Sequence, residues 1–192
     1  MAATSLAGCS GSPGKQTTAA PAAGESGAGQ AAQSTATGEP IKVGVSNMVT
    51  GPMAAGGIRM KQAITMAFEE INANGGVLGG RPLEMVLVDD TGTPTGAVNA
   101  VNKILGENVS VSIGPHTSPM ASATQELYRK AGVPFITAAT SPKLLEAENP
   151  YFFRISVSDG AVGPAMVEFA KDKFGVKKIG ALYDTDDYGV AA

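Results

Sequence analysis

Residues 109–144 contain the same small construction twice, and that repetition leaves few folds open. Val109-Ser110-Val111-Ser112-Ile113 reads as a buried strand, Gly114-Pro115-His116 turns, and Thr117-Ser118-Pro119 opens a helix. Val133-Pro134-Phe135-Ile136 reads as a second strand, after which Thr137-Ala138-Ala139 leads into Thr140-Ser141-Pro142, a second helix opening. Serine before proline marks a helix start. The hydroxyl can accept from free N–H groups of the first turn, and proline at the first helical position gives up an N–H that had no partner. Two such starts at the ends of neighbouring strands would aim two sets of unpaired donors and two helix dipoles at one place, which should attract a carboxylate.

Upstream, the order of elements is regular. After Pro40, Ile41-Lys42-Val43-Gly44-Val45-Ser46 forms a short alternating strand, followed by a loop with three glycines, Gly51, Gly56 and Gly57. Met60, Ala63, Ile64, Ala67, Phe68 and Ile71 then recur at spacings of three and four, with Lys61, Gln62, Glu69 and Glu70 on the other side. This is an amphipathic helix, ended by Asn74-Gly75-Gly76. The near-continuous apolar run Leu83 to Val88 before Asp89-Asp90 reads as a strand buried on both faces, as in a parallel sheet with helices on each side. Ala97, Val98, Val101, Ile104 and Leu105 make the next helix, and Ala121 to Ala131 the one after. Alternation of strand and helix predicts an α/β, open, doubly wound, mostly parallel sheet, whose ligands bind beyond the carboxyl ends of the strands.

A second domain begins without being completed. Tyr151-Phe152-Phe153-Arg154-Ile155 is extended; Ser158-Asp159 caps a helix carrying Val162, Met166, Phe169, Ala170 and Phe174, which Gly175 stops. Lys177 to Tyr183 reads as a fresh strand, and Asp184 to Tyr188 as the lead into another helix.

The N-terminal part is of another kind. Residues 10–39 are almost entirely Ala, Gly, Ser, Thr, Gln and Pro, too poor in apolar surface to fold, and read as a flexible tether. Just before it, Leu6-Ala7-Gly8-Cys9 resembles the lipobox of bacterial lipoproteins, in which the cysteine is lipidated and becomes the mature N-terminus. Only Met1-Ala2-Ala3-Thr4-Ser5 precedes it, short of the basic start and apolar stretch of roughly 7–15 residues that a signal needs. The expectation is that the start lies too far downstream or the signal has been cut away.

Composition excludes several classes. With 14 basic and 17 acidic residues, and no basic cluster larger than Lys177-Lys178, the chain does not read as a nucleic-acid binder. No apolar run approaches the roughly 18 residues of a membrane span. One cysteine and one histidine, His116, give neither a disulfide framework nor a thiolate metal site, and little for imidazole catalysis. The glycines after the first strand lack the spacing of a dinucleotide turn. Asp184-Thr185-Asp186 imitates the aspartate pair of haloacid-dehalogenase phosphatases, but Asp187-Tyr188 follows where a small Thr/Val pair is needed. His116 lacks a nucleophile elbow or a second histidine and reads as a polar turn residue near a cleft rim. Asp89-Asp90 reads as a turn-forming pair rather than a metal site. The expected chemistry is binding, with no catalytic residue, metal or cofactor.

Taken together, Thr50-Gly51-Pro52, Glu69-Glu70-Ile71-Asn72-Ala73-Asn74-Gly75-Gly76, Asp89-Asp90, Ile113-Gly114-Pro115, Ala131-Gly132-Val133-Pro134, Ala138-Ala139-Thr140 and Tyr183-Asp184 to Tyr188-Gly189 resemble the leucine/isoleucine/valine-binding family of ABC-transporter substrate-binding proteins over residues 41–192. The resemblance implies two α/β lobes joined by hinge strands, of the periplasmic-binding-protein type I fold, closing on an amino acid or similar small polar solute. It places Ser118 on the ligand carboxylate, Ala138, Ala139 and Thr140 in the segment holding carboxylate and ammonium, and Tyr188 as a second-lobe residue closing over the ligand. The family's aromatic residue near Gly56 is missing, and Val162 stands where glutamine is common, which puts a branched aliphatic ligand in doubt. The acidic partner of the ligand ammonium would lie beyond Ala192, and Asp159 reads as a helix cap.

The implied organisation is a lipoprotein-signal remnant at 1–9, a tether at 10–40, a ligand-binding lobe at 41–154, and a hinge with an incomplete second lobe at 155–192. The implied function is that of an extracytoplasmic solute-binding lipoprotein, held at the membrane through Cys9 and delivering its ligand to an ABC permease. The same fold also serves as the sensor domain of signalling receptors; lipobox and tether favour the transporter.

Overall fold

A computed structural model of the chain describes residues 36–186 and 188–190. Cys9 and most of the tether lie outside the described residues. The tether's last stretch does not hang free: the backbone N–H groups of Thr37 and Gly38 donate to Gly80 O at 3.0 and 2.9 Å, and Arg81 Nε donates to Glu39 O at 2.8 Å.

The elements are β1 (Ile41–Asn47), α1 (Ala54–Ala73), β2 (Leu83–Asp89), α2 (Pro94–Gly106), β3 (Val111–Ile113), α3 (Ser118–Ala131), β4 (Phe135–Thr137), β5 (Phe152–Arg154) and α4 (Asp159–Phe174). Five strands form one sheet in the order β2-β1-β3-β4-β5, and every pairing is parallel. The strand order reverses between β1 and β3, the switch point at which such sheets open a crevice.

Strand periodicity puts α1 and α2 on opposite faces. Asn47 reaches α1, its Nδ2 donating to Gly57 O at 2.7 Å. Gly44, of the other parity, faces α2: a Cβ there would lie 2.2 Å from Ile104 Cγ2. On the α2 side the core is Val101, Tyr128 and Phe135, all fully buried, with Phe152 packed against them. Tyr128 stacks on Phe135 at 4.3 Å between ring centroids, and Phe152 meets Phe135 edge-on at 5.4 Å. The Tyr128 phenol is hydrogen-bonded to Ser112 Oγ at 2.8 Å, which satisfies both hydroxyls. Burial nonetheless pushes the phenol well above its ordinary pKa.

Several expectations need correction. Helix α1 starts at Ala54, so Gly56 and Gly57 belong to its first turns instead of a loop. A Cβ on Gly57 would lie 2.0 Å from the Met48 carbonyl oxygen, whereas one on Gly56 meets nothing within 4 Å. Gly56→Ala should therefore stabilise the fold by up to about 1 kcal/mol through helix propensity. Gly57→Ala should destabilise it by about 1–3 kcal/mol through overpacking. Urea midpoints of the two variants should move in opposite directions; parallel shifts would contradict this packing.

Strand β2 is an edge strand with its apolar side chains half-buried and Glu84 exposed, not buried on both faces. The second Ser-Pro start yields only a four-residue 3-10 helix, Pro142–Leu145, too short to carry an aligned dipole. No strand occurs among the described residues after α4. Residues 177–183 are irregular, and Leu182 is wholly exposed. An apolar strand sequence needs a neighbouring strand to pair with, and none is offered there. Past it, Asp186 Oδ1 accepts from the N–H groups of Tyr188 and Gly189 at 2.9 and 2.8 Å, forming a turn where a helix start was expected. Ser158 is the N-cap residue of α4, yet its hydroxyl donates to Thr140 O at 3.4 Å instead of capping. Asp159 is the first helical residue of α4 and not its cap, with Oδ2 buried and unpartnered among the described residues. None of the described helices is long and apolar enough to cross a membrane.

Candidate functional site

The carboxyl ends of β2, β3 and β4 open onto one cavity of about 520 Å³. Ser118, Ala138, Ala139, Thr140 and Tyr188 all line it, so the five positions singled out from the sequence are brought together. Thr117, Pro119 and Met120, from the start of α3, line it as well. The loops after β1 and β2 bring Met53, Gly92 and Pro94 to the cavity, the turn after β3 brings His116, and Asp186 joins Tyr188 in the lining.

The serine geometry differs from the capping expected. Thr117, not Ser118, is the N-cap residue of α3, and no side chain caps that helix. Ser118 Oγ accepts instead from the N–H of Ser141 at 3.1 Å, stitching the β3 and β4 turns together. The turn after β4 is braced further. Thr137 Oγ1 donates to Pro115 O and accepts from the N–H of Ala139 at 3.1 Å. Ser156 Oγ donates to Ala138 O at 2.8 Å, and Arg154 holds the carbonyls of Thr140 and Ser141 at 3.3 and 3.2 Å. What remains available faces the cavity wall: the N–H groups of Ser118 and Met120 in the first turn of α3, and the N–H and hydroxyl of Thr140, have no partner among the described residues. Free donors at a helix N-terminus, with hydroxyls beside them and no cation, suit a carboxylate.

At the β2 end two carboxylates behave differently. Asp89 is the hub of a turn, accepting from the N–H groups of Val49, Thr50 and Thr91 at 3.1, 3.3 and 2.9 Å and from the Thr50 hydroxyl. Burial raises its pKa, but these bonds outweigh burial and hold the carboxyl below its ordinary range. Asp90 is fully buried and accepts from Ser46 Oγ at 2.9 Å and Gly92 N–H at 3.0 Å. Burial dominates there and pushes its pKa up. Burial pulls the half-buried His116 down, with the Asp90 charge opposing, so the imidazole is neutral at neutral pH. No cluster of three or more potential metal-ligating His, Cys, Asp or Glu side chains occurs among the described residues.

Sequence signals place His116 at a cleft rim, mark Asp186 only as part of a phosphatase-like aspartate pair and not as a site residue, and leave Met53 and Met120 unmarked. Met53 was hidden because the helix start was placed too late, and Asp186 because its turn was read as helix. Met120 left one signal, its place one turn into the helix that Ser118-Pro119 begins.

The family model described as "Periplasmic binding protein" matches residues 40–192. A leucine-, isoleucine-, valine-, threonine- and alanine-binding protein of Pseudomonas aeruginosa is 33% identical over 150 residues, covering 78% of this chain and 40% of the relative. Among solved structures, the branched-chain amino acid transporter substrate-binding protein LivJ of Streptococcus pneumoniae, in complex with isoleucine, superposes with a TM-score of 0.73 at 29% identity, covering 80% of this chain and 44% of the other. A fatty acid ABC transporter substrate-binding protein from Thermomonospora curvata reaches a TM-score of 0.71 at 29% identity, over 83% and 41% of the two chains. This chain thus spans about 40% of the length of the curated relatives it matches. The all-parallel sheet with its reversal between β1 and β3, the cavity at its carboxyl ends, and a family match that runs through nearly the whole described region have one reading: the chain belongs to the periplasmic binding protein family.

Proposed function

We propose that this chain is the ligand-binding first lobe (41–154), hinge and start of the second lobe (155–192) of an extracytoplasmic solute-binding protein of an ABC importer, and that its ligand is an amino acid or similar small polar solute. The observation that carries this reading is the meeting of free N–H and hydroxyl donors of Ser118, Met120 and Thr140 in the lining of a cavity that Asp186 and Tyr188 also line. Those donors fit the carboxylate of an amino acid. The ligand is bound without being altered, and its binding energy shifts an open and closed equilibrium of the two lobes that a membrane permease reads. The names of the relatives support the same class of ligand. Cys9 is the lipid attachment, and residues 10–40 the tether that lets the lobes work away from the membrane surface.

Calorimetric titration of the full-length protein with a panel of L-amino acids tests the binding reading: micromolar or tighter affinity for at least one is expected, and no heat from any would overturn it. Anchoring is tested separately. Cys9→Ala should move the protein from the membrane fraction to the soluble fraction and abolish palmitate labelling; an unlabelled wild type would remove the anchor from the proposal.

A further inference from the structure

The cavity does not have the chemistry of a purely aliphatic side-chain pocket, and the departure is His116. Its ring lines the cavity half-buried, two residues before Ser118, and no hydrogen bond to it occurs among the described residues. In the sheet order the turn after β3 that carries it lies between the Ala138–Thr140 segment, which follows β4, and the loops after β1 and β2, which bring Met53, Gly92 and Pro94 to the β2 end of the cavity. A ligand whose carboxylate sits at Ser118 and Thr140 would extend its side chain toward that end. There it meets apolar walls and one imidazole with a donor and an acceptor to satisfy.

We infer that His116 is a specificity-determining residue, selecting L-α-amino acids whose side chains carry a neutral hydroxyl or carboxamide over aliphatic side chains of the same size. This rests on the amino-acid reading proposed above. An aliphatic side chain would shield the imidazole from water and offer it nothing, and an unpaired polar group in a closed site discriminates strongly. An anionic tip is disfavoured, because the acidic groups near the ring are Asp90 and, in the same cavity lining, Asp186, and no Lys or Arg among the described residues lines the site. A cationic tip finds one group to pair with, Asp186, whose Oδ1 already accepts from two amides of its own turn, while both oxygens of the buried Asp90 accept from Ser46 and Gly92; Lys in the panel below tests that pairing.

The test is calorimetry of the full-length protein with three pairs of similar volume, Thr and Val, Asn and Leu, Gln and Met, plus Glu and Lys. Wild type should favour the polar member of at least one pair by roughly tenfold or more. His116→Leu should erase that preference while keeping or raising affinity for the apolar member, and His116→Gln, which retains a donor and an acceptor, should preserve it. Melting curves confirm that each variant is folded. Equal or tighter wild-type binding of the apolar members, tightest binding of Glu or Lys, or a preference that survives in His116→Leu would each overturn the assignment while leaving the amino-acid reading standing. If wild type binds none of the eight, this assignment falls, and the wider amino-acid panel above decides separately whether the amino-acid reading falls with it.

Discussion

Phe135→Ala should destabilise the fold by about 3–5 kcal/mol, the range for removing a fully buried aromatic ring from a packed core. Phe135 is 0% exposed and sits where three elements meet: β4, which carries it, α3 through the Tyr128 ring, and β5 through the Phe152 ring. Removing the ring leaves a cavity that the sheet cannot close without breaking the pairing of Phe135 with Ser112 on β3 and Phe152 on β5. Against a typical total stability of about 5–15 kcal/mol, the loss is large enough to unfold a substantial share of molecules near body temperature. Phe153 is the internal control. It follows Phe152 on the same strand, points to the opposite face and is 52% exposed, so Phe153→Ala should change stability far less. Urea unfolding followed by far-ultraviolet circular dichroism measures both, and similar losses for the two would mean that the core has been placed on the wrong face of the sheet.

Phe135 also shows why most of this fold was legible in the sequence. The strands are apolar with period two, the helices apolar with periods of three and four, and glycines close helices where the backbone turns left-handed, as at Gly132 and Gly175. Those signals are local, and the structure agrees with them. Disagreement arises where a local signal needed a distant partner. Residues 177–183 carry the composition of a strand, but strand formation depends on a neighbour that composition cannot supply. Ser141-Pro142 has the same dipeptide as Ser118-Pro119 and yields one turn of 3-10 helix instead of four turns of α-helix, because the residues that follow, Glu146 to Asn149, lack an apolar stripe to pack. The two serines were read alike and serve different ends: Ser118 Oγ accepts from the backbone of the other turn, and Ser141 Oγ is buried without a partner among the described residues.

The site was legible in the same partial way. Its position followed from topology alone, since parallel strands gather their carboxyl ends on one side and the crevice opens where their order reverses. Ser118 is marked both by its Ser-Pro helix start and by the family resemblance, whereas Ala138, Ala139, Thr140 and Tyr188 are marked by the resemblance alone. The specificity end could not be assembled, because it is built from Met53, Gly92, Pro94 and His116, which are scattered over three connections and share no motif. Only the fold brings them to one wall.

The second large effect expected concerns the donors of that wall. Ser118→Ala combined with Thr140→Ala should weaken amino-acid binding by at least about a hundredfold, since hydrogen bonds to a charged group are worth roughly 1.5–3 kcal/mol each. The single variants separate binding from support. The Thr140 hydroxyl has no protein partner among the described residues, so Thr140→Ala should leave the urea midpoint nearly unchanged and show its effect in affinity alone. Ser118→Ala is different in kind. Its Oγ accepts from the buried N–H of Ser141, so removing it leaves a donor unsatisfied and should lower stability by about 1–3 kcal/mol as well as affinity. Because that bond also fixes the chain beside Thr140, the two changes should combine less than additively, the mark of groups that act through a shared element. Calorimetry on the wild type, both single variants and the double variant completes the cycle. Unchanged affinity in the double variant would remove the carboxylate from this wall, and strict additivity would mean that the bond between Ser118 and Ser141 supports the fold without positioning the site.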